Sequence, residues 1–182
     1  IHVLADNSLA VLVENSTTPP VVGSPYRQIT NNAVIWWNAD GTPRPGFGNL
    51  AAQPGAAAFP NSATDLCSTS GFEPTADGGF LVLGKTAVRA DGVGYQPSLL
   101  RIKPDGTIDA SFGVGGIRGH EILGTKNVNM IPRGLVKQSD GKLIVVTTGS
   151  VSGGSSDIIL GRFNADGSTD ATFGVEIGRA HV

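Results

Sequence analysis

The chain has 182 residues, enough for one domain with a sizeable core or for a few repeats of a larger one, and it carries 26 Gly, 11 Pro and only 15% charged residues. That turn-rich mixture, with no long amphipathic helical pattern, indicates an all-β protein. A net charge of −2 with scattered Lys and Arg argues against a nucleic-acid partner, no apolar run reaches the length of a membrane span, and the single Cys67 excludes an internal disulfide or a CxxC zinc site.

In chain order, ADNSLAVLV (5–13) reads as an Asp-centred turn entering a strand, followed by the loop VENSTTPPVVGSPYRQITNN and the strand VIWW. NADGTPRPGFG (38–48) then runs through an Asp-Gly turn to a Phe-Gly pair. The same order returns with GFEPTA, the hairpin around ADGGFLVLG (76–84), the loop GKTAVRADGVGYQP, the strand SLLRI and PDGTIDASFG (104–113); a fourth strand, GIRGHEIL (116–123), follows. It returns again with GLVKQS, SDGKLIVVT (139–147), the loop GSVSGGSSD, the strand IILGRF and NADGSTDATFG (164–174). Asp40, Asp105 and Asp166 each precede a Phe by seven residues, and the units are 65 and 61 residues apart. Four strands in about 60 residues, repeated, predict a partial β-propeller of about three four-stranded antiparallel blades. A β-solenoid is the alternative, although its coils are usually much shorter than this unit. The expected divisions are a degenerate first repeat at 1–70, truncated at its start, a second at 71–131 and a truncated third at 132–175.

The recurring phrase has a structural reading. Gly106 and Gly167 supply the positive φ of a turn, Asp105 and Asp166 can accept a bond from the backbone, and Asp109 and Asp170 can cap the following SFG or TFG. Phe112 and Phe173 are expected to plug the end of their own blade. In the first unit Arg44 stands where the capping Asp belongs, and two prolines intrude.

LLRIKPDGTIDASFGVGGI, RGLVKQSDGKLIVVTTG and LGRFNADGSTDATFG together resemble the delta-60 repeat family of bacterial tandem repeats, from about residue 71 to 174. The resemblance implies a propeller-like module of a secreted or cell-surface protein and carries no assigned activity. The phrase then breaks at EIGRAHV. IGRAHV is what ATC GGA AGA GCA CAC GTC encodes, which looks like the start of a sequencing adapter, so residues 176–182 are expected to be a non-native tail and His181 carries no chemistry.

Other motifs dissolve on inspection. GFLVLGKT (79–86) fits G-x-x-x-x-G-K-[ST], but its centre aligns with Leu143–Val146 in a strand and no helix can follow, so no phosphate loop is expected. FGVGGIRG places Arg118 where a dinucleotide motif needs Gly. Calcium at the Asp-Gly turns is the one cofactor alternative to none, and Arg101 and Arg162, four residues before the Asp, weigh against it. Eight of the 15 acidic residues belong to the repeat signature, leaving Glu14, Asp65, Glu73, Asp91, Glu121 and Asp157 for any catalytic pair once Glu176 is set aside. His120 and Glu121 alternate across a predicted strand and form no dyad. Met130, Trp36, Trp37 and Cys67 read as packing residues.

An antiparallel meander places the Asp-Gly turns at one end and the loops of changing length at the other, where recognition usually sits. Tyr26, Arg27, Arg89 and Tyr95 are the loop residues able to grip a ligand by stacking or charge. The expectation is a noncatalytic exported or surface module that binds a glycan or protein and is joined to further blades of the same polypeptide. The alternative is a fragment of a propeller-type polysaccharide hydrolase or lyase with catalytic residues outside this chain.

Overall fold

The computed structural model describes residues 1–14, 32–51, 53–59, 68–87, 95–113, 117–119, 129–150 and 157–173, and side chains within these except Ala87, Ile117–Gly119, Asn129, Ser150 and Asp157. The described residues contain no helix. Three antiparallel sheets follow one another along the chain: β1 (His2–Val3), β2 (Leu9–Val13), β3 (Asn32–Trp37) and β4 (Ala56–Phe59); β5 (Ser68–Pro74), β6 (Phe80–Ala87), β7 (Tyr95–Ile102) and β8 (Ile117–Gly119); β9 (Asn129–Lys137), β10 (Leu143–Ser150) and β11 (Asp157–Phe163). Each sheet pairs its strands in sequence order, so each is a meander. This is a partial β-propeller, and the antiparallel pairing within each unit sets aside the solenoid alternative. Strand pairing begins at Ser68 and Asn129, three and five residues ahead of the repeated phrases GFEPTA (71–76) and GLVKQS (134–139). A register shift between Thr69 and Gly71 lets β5 continue backwards past its phrase.

Alternation along the strands builds the cores between sheets. On β6, Phe80 and Val82 pack with Val34, Trp36, Phe47 and Phe59 of the first unit. The intervening Leu81 and Leu83 pack with Leu135, Leu143, Val145 and Phe163 of the third. A strand buried on both faces explains the nearly unbroken run FLVL, which resembles a phosphate loop only in its letters: Gly84, Lys85 and Thr86 pair with Ser98, Pro97 and Gln96 in mid-sheet. On β10 the matching alternation is one-sided. Leu143 and Val145 are buried, while Ile144 and Val146 are half-buried, and Ile158 and Leu160 on β11 are exposed.

The Asp-Gly segments all fold alike. In six places the residue before a three-residue loop donates its amide to the carbonyl of the residue after it, as Thr75 does to Gly79 and Lys103 to Thr107. The last loop residue is left-handed, which Gly meets without strain at Gly41, Gly78, Gly106, Gly141 and Gly167. In the first turn Asn7 takes that place with φ 59°.

Candidate functional site

At the turn end the aspartates are structural. Asp6, Asp40, Asp105 and Asp166 accept a bond from the amide two residues on, at 2.8–3.0 Å, and a second from that residue's hydroxyl. Asp109 and Asp170 do the same for Ser111 and Thr172, capping the segment before Phe-Gly as their spacing predicts. These bonds favour the charged carboxylate. The Ser8 hydroxyl and amide, with Arg44, hold Asp6 down at about 2. Lys142, then the Thr172 hydroxyl and amide, then Arg162 hold Asp170 well below the usual carboxylate range. Asp40, Asp77, Asp105 and Asp109 are lowered too, in each case first by a neighbouring hydroxyl: Thr42, Thr75, Thr107 and Ser111.

Ion pairs tie each unit's first turn to its second. Arg101 reaches Asp77 at 2.6 Å and Asp109 at 3.5 Å, and Arg162 and Lys142 both reach Asp170 at 2.8 Å. In the first unit Trp36 stands in the Arg position and Arg44 in the Asp position. Arg44 lies 4.5 Å from the centre of the Trp36 ring and pairs with Asp6 at 2.9 Å. The cation has moved eight residues along the chain and still reaches the same turn.

Phe47 and Phe112 do not plug their own blades alone, whereas Phe173 lies against Arg162 of its own unit. Gly48 donates its amide to the carbonyl of Asp105 at 3.0 Å, in the next unit's turn. A side chain at Gly106 would collide with the Gly48 nitrogen, and one at Gly167 with the Phe112 ring. The first two Phe-Gly segments therefore dock on the following unit's glycine turn, whose missing Cβ makes the room. Phe112 accordingly belongs to the core shared with the third sheet.

Between the second and third units, at the turn end, lies a cleft of about 410 Å³ lined by Glu73, Asp77, Arg101, Lys137 and Gln138 over Leu81 and Leu143. Its cations are engaged: Lys137 donates to the Pro74 carbonyl at 2.8 Å and Arg101 to Asp77. Among the described residues the buried Gln138 Oε1 meets no hydrogen-bond donor. Sequence reasoning missed this cleft because its residues come from two units and share no motif.

At the loop end, Tyr95 opens β7, half-buried, with the Lys85 ammonium 4.2 Å from its ring centre. Lys85 was hidden in the sequence by the false phosphate-loop match. Tyr26, Arg27 and Arg89 lie outside the described residues, as do Cys67, His120, Glu121 and residues 176–182. Among the described side chains Trp36 and Met130 are buried, as expected of packing residues, and Trp37 is half-buried. His2 bonds the Phe72 carbonyl at 2.7 Å, and Glu14 accepts from the Thr69 amide at 2.7 Å, so both link the first unit to the second. Among the described residues no three His, Cys, Asp or Glu converge as metal ligands would, and no helix is long and apolar enough to cross a membrane.

The pattern of a family described as "Domain of unknown function (DUF5122) beta-propeller" matches residues 75–112 and 138–173. The two segments begin beside the Asp-Gly turn that joins the first and second strands of units two and three, and end at Phe112 and Phe173. The first unit, with its exchanged corner, is not among the matched residues although its sheet has the same order. No curated protein and no solved structure matches the chain.

Proposed function

We propose that this propeller is a noncatalytic module of an exported or surface protein, one that binds a glycan or protein ligand at the loop end. The observation that carries the reading is the division of labour between the two ends. The signature aspartates are bonded into turns and depressed in pKa, unsuited to trading protons near neutral pH. At the opposite end Tyr95 presents an aromatic ring beside Lys85, the pairing of stacking surface and charge that suits a polar ligand. Tyr26 and Arg27 lie in sequence between β2 and β3, and Arg89 between β6 and β7; with Tyr95 they are counted as ligand contacts. No cofactor enters this reading, and further blades of the same repeat extend the scaffold.

The test is binding of the chain to an array of polysaccharides and to a panel of immobilised surface proteins, repeated with Tyr95→Ala. Retention that falls at least about tenfold on losing the ring supports the loop end. Retention unchanged by Tyr95→Ala but lost on changing Gln138 would move the ligand to the cleft. Release of reducing sugar from any bound polysaccharide would overturn the noncatalytic reading.

A further inference from the structure

The two junctions between consecutive units use the same positions and fill them differently. In the first, Trp36 and Phe80 stand edge-on with ring centres 5.3 Å apart, and Leu4 packs against the cluster that holds both. One unit later the same positions are Arg101, Leu143 and Thr75. Arg101 carries its guanidinium to Asp77 at 2.6 Å, Thr75 donates its hydroxyl to the same carboxylate, and Leu143 is smaller than a Phe ring. All three therefore line the cleft of about 410 Å³ between the second and third units instead of closing it. That volume falls within the roughly 300–1,000 Å³ of small-molecule sites.

The groups that face this space are polar and incompletely bonded. Gln138 is the third unit's counterpart of Thr75, and its longer side chain buries an amide oxygen that meets no donor among the described residues. From the second unit, Arg101 Nε is buried too; it lies in an ion pair 3.5 Å from Asp109 and makes no hydrogen bond. A buried acceptor and a buried donor left in this state both cost stability, and a ligand that engages both removes the cost.

We infer that this cleft is a second binding site, at the turn end, for an uncharged sugar ring. A hydroxyl is the simplest group that can donate to Gln138 Oε1 and accept from Arg101 Nε, and a sugar carries several. Two acids, Glu73 and Asp77, and two bases, Arg101 and Lys137, line the cleft, so it asks for no net charge in its occupant. Leu81 and Leu143 supply the apolar surface on which the C–H face of a pyranose rests. The site lies wholly within an internal junction, and it does not rest on the loop-end reading.

The experiment is calorimetric titration of the whole chain with glucose, galactose, mannose and N-acetylglucosamine, in wild type and three variants. Gln138→Leu removes the buried acceptor at similar bulk. Thr75→Leu with Leu143→Phe restores at the second junction the apolar filling of the first, so it closes the cleft by a second route. Tyr95→Ala reports on the loop end. At least one sugar is expected to bind wild type in the millimolar range or tighter. Gln138→Leu and the filled variant, both folded by circular dichroism, should bind it at least about tenfold more weakly, and Tyr95→Ala should bind it unchanged. Binding that either cleft change leaves untouched overturns the inference. So does binding lost with Tyr95→Ala alone, which would put the sugar at the loop end. Binding of none of the four sugars also overturns it, while leaving a larger loop-end ligand standing.

Discussion

The closing corners of the first and second units do the same work with different chemistry. In the second, Arg101 bridges Asp77 and Asp109. In the first, Trp36 fills the Arg position, stacks edge-on against Phe47 and Phe80, and supports Arg44, which pairs with Asp6. What both keep is a cation bonded to the first-turn aspartate; which strand end supplies it is free to change. Such a corner tolerates drift that a sequence signature does not, so the first unit looks degenerate in its letters while its sheet retains the same order.

The comparison can be broken most severely at the phenylalanines. Phe112→Ala should cost about 3–5 kcal/mol in urea denaturation, because it empties a core shared by two sheets. Phe173→Ala, in dilute protein, should cost about 1 kcal/mol, since its ring is only half-buried. Equal losses would deny the docking of Phe-Gly on the next unit. The glycines give the next largest contrast. Gly41→Ala should cost about 1–2 kcal/mol from its positive φ alone. Gly106→Ala should lose roughly 1–3 kcal/mol more, as its Cβ meets the Gly48 backbone.

Arg44→Ala tests the exchanged corner itself. Half-exposed and ion-paired, it should lose only about 0.5–1 kcal/mol, and Trp36 fluorescence should shift as the guanidinium leaves its ring. An unshifted spectrum would count against the cation–π contact. The smallest effect is one of pH. Asp6 is depressed from 3.8 to about 2, so its contribution is complete above pH 3.8 and is lost as pH falls towards 2. Asp170, held lower still, gives way later in the same titration. Asp6→Asn should flatten the upper part of that acid limb; an unchanged limb would mean that its bonds to Ser8 and Arg44 do not matter to folding.

The periodicity of Asp-Gly and Phe-Gly made the sheets and the turn end legible, because hairpin geometry is local and glycine marks it directly. The bonds of Asp109 and Asp170 to the backbone were equally legible, being two residues long. The destination of Phe112 was not: its partner Gly167 is 55 residues away, and a repeat phrase says where a residue recurs, not which copy it touches. Arg44 was misread for a related reason. Compared position by position with Asp109 it is a lost acid, and only the fold reveals it as a relocated cation. At the loop end Tyr95 could be named from its position, while the stacking with Lys85 required the register that sets Ala87 opposite Tyr95.

The docking of the first two Phe-Gly segments on later turns gives the chain a direction in time. During synthesis at about 5–20 residues per second, Phe47 emerges roughly 3–12 s before Gly106, 59 residues downstream, exists to receive it. Each finished sheet therefore waits as an unsealed surface until its successor's turn has formed. Ribosome-held chains ending near residue 95 should bind a probe of exposed apolar surface more strongly per sheet than those carrying the second turn, and equal binding would refute this. Every added blade transfers the unsealed surface to the next one, so the growing end is always the vulnerable end.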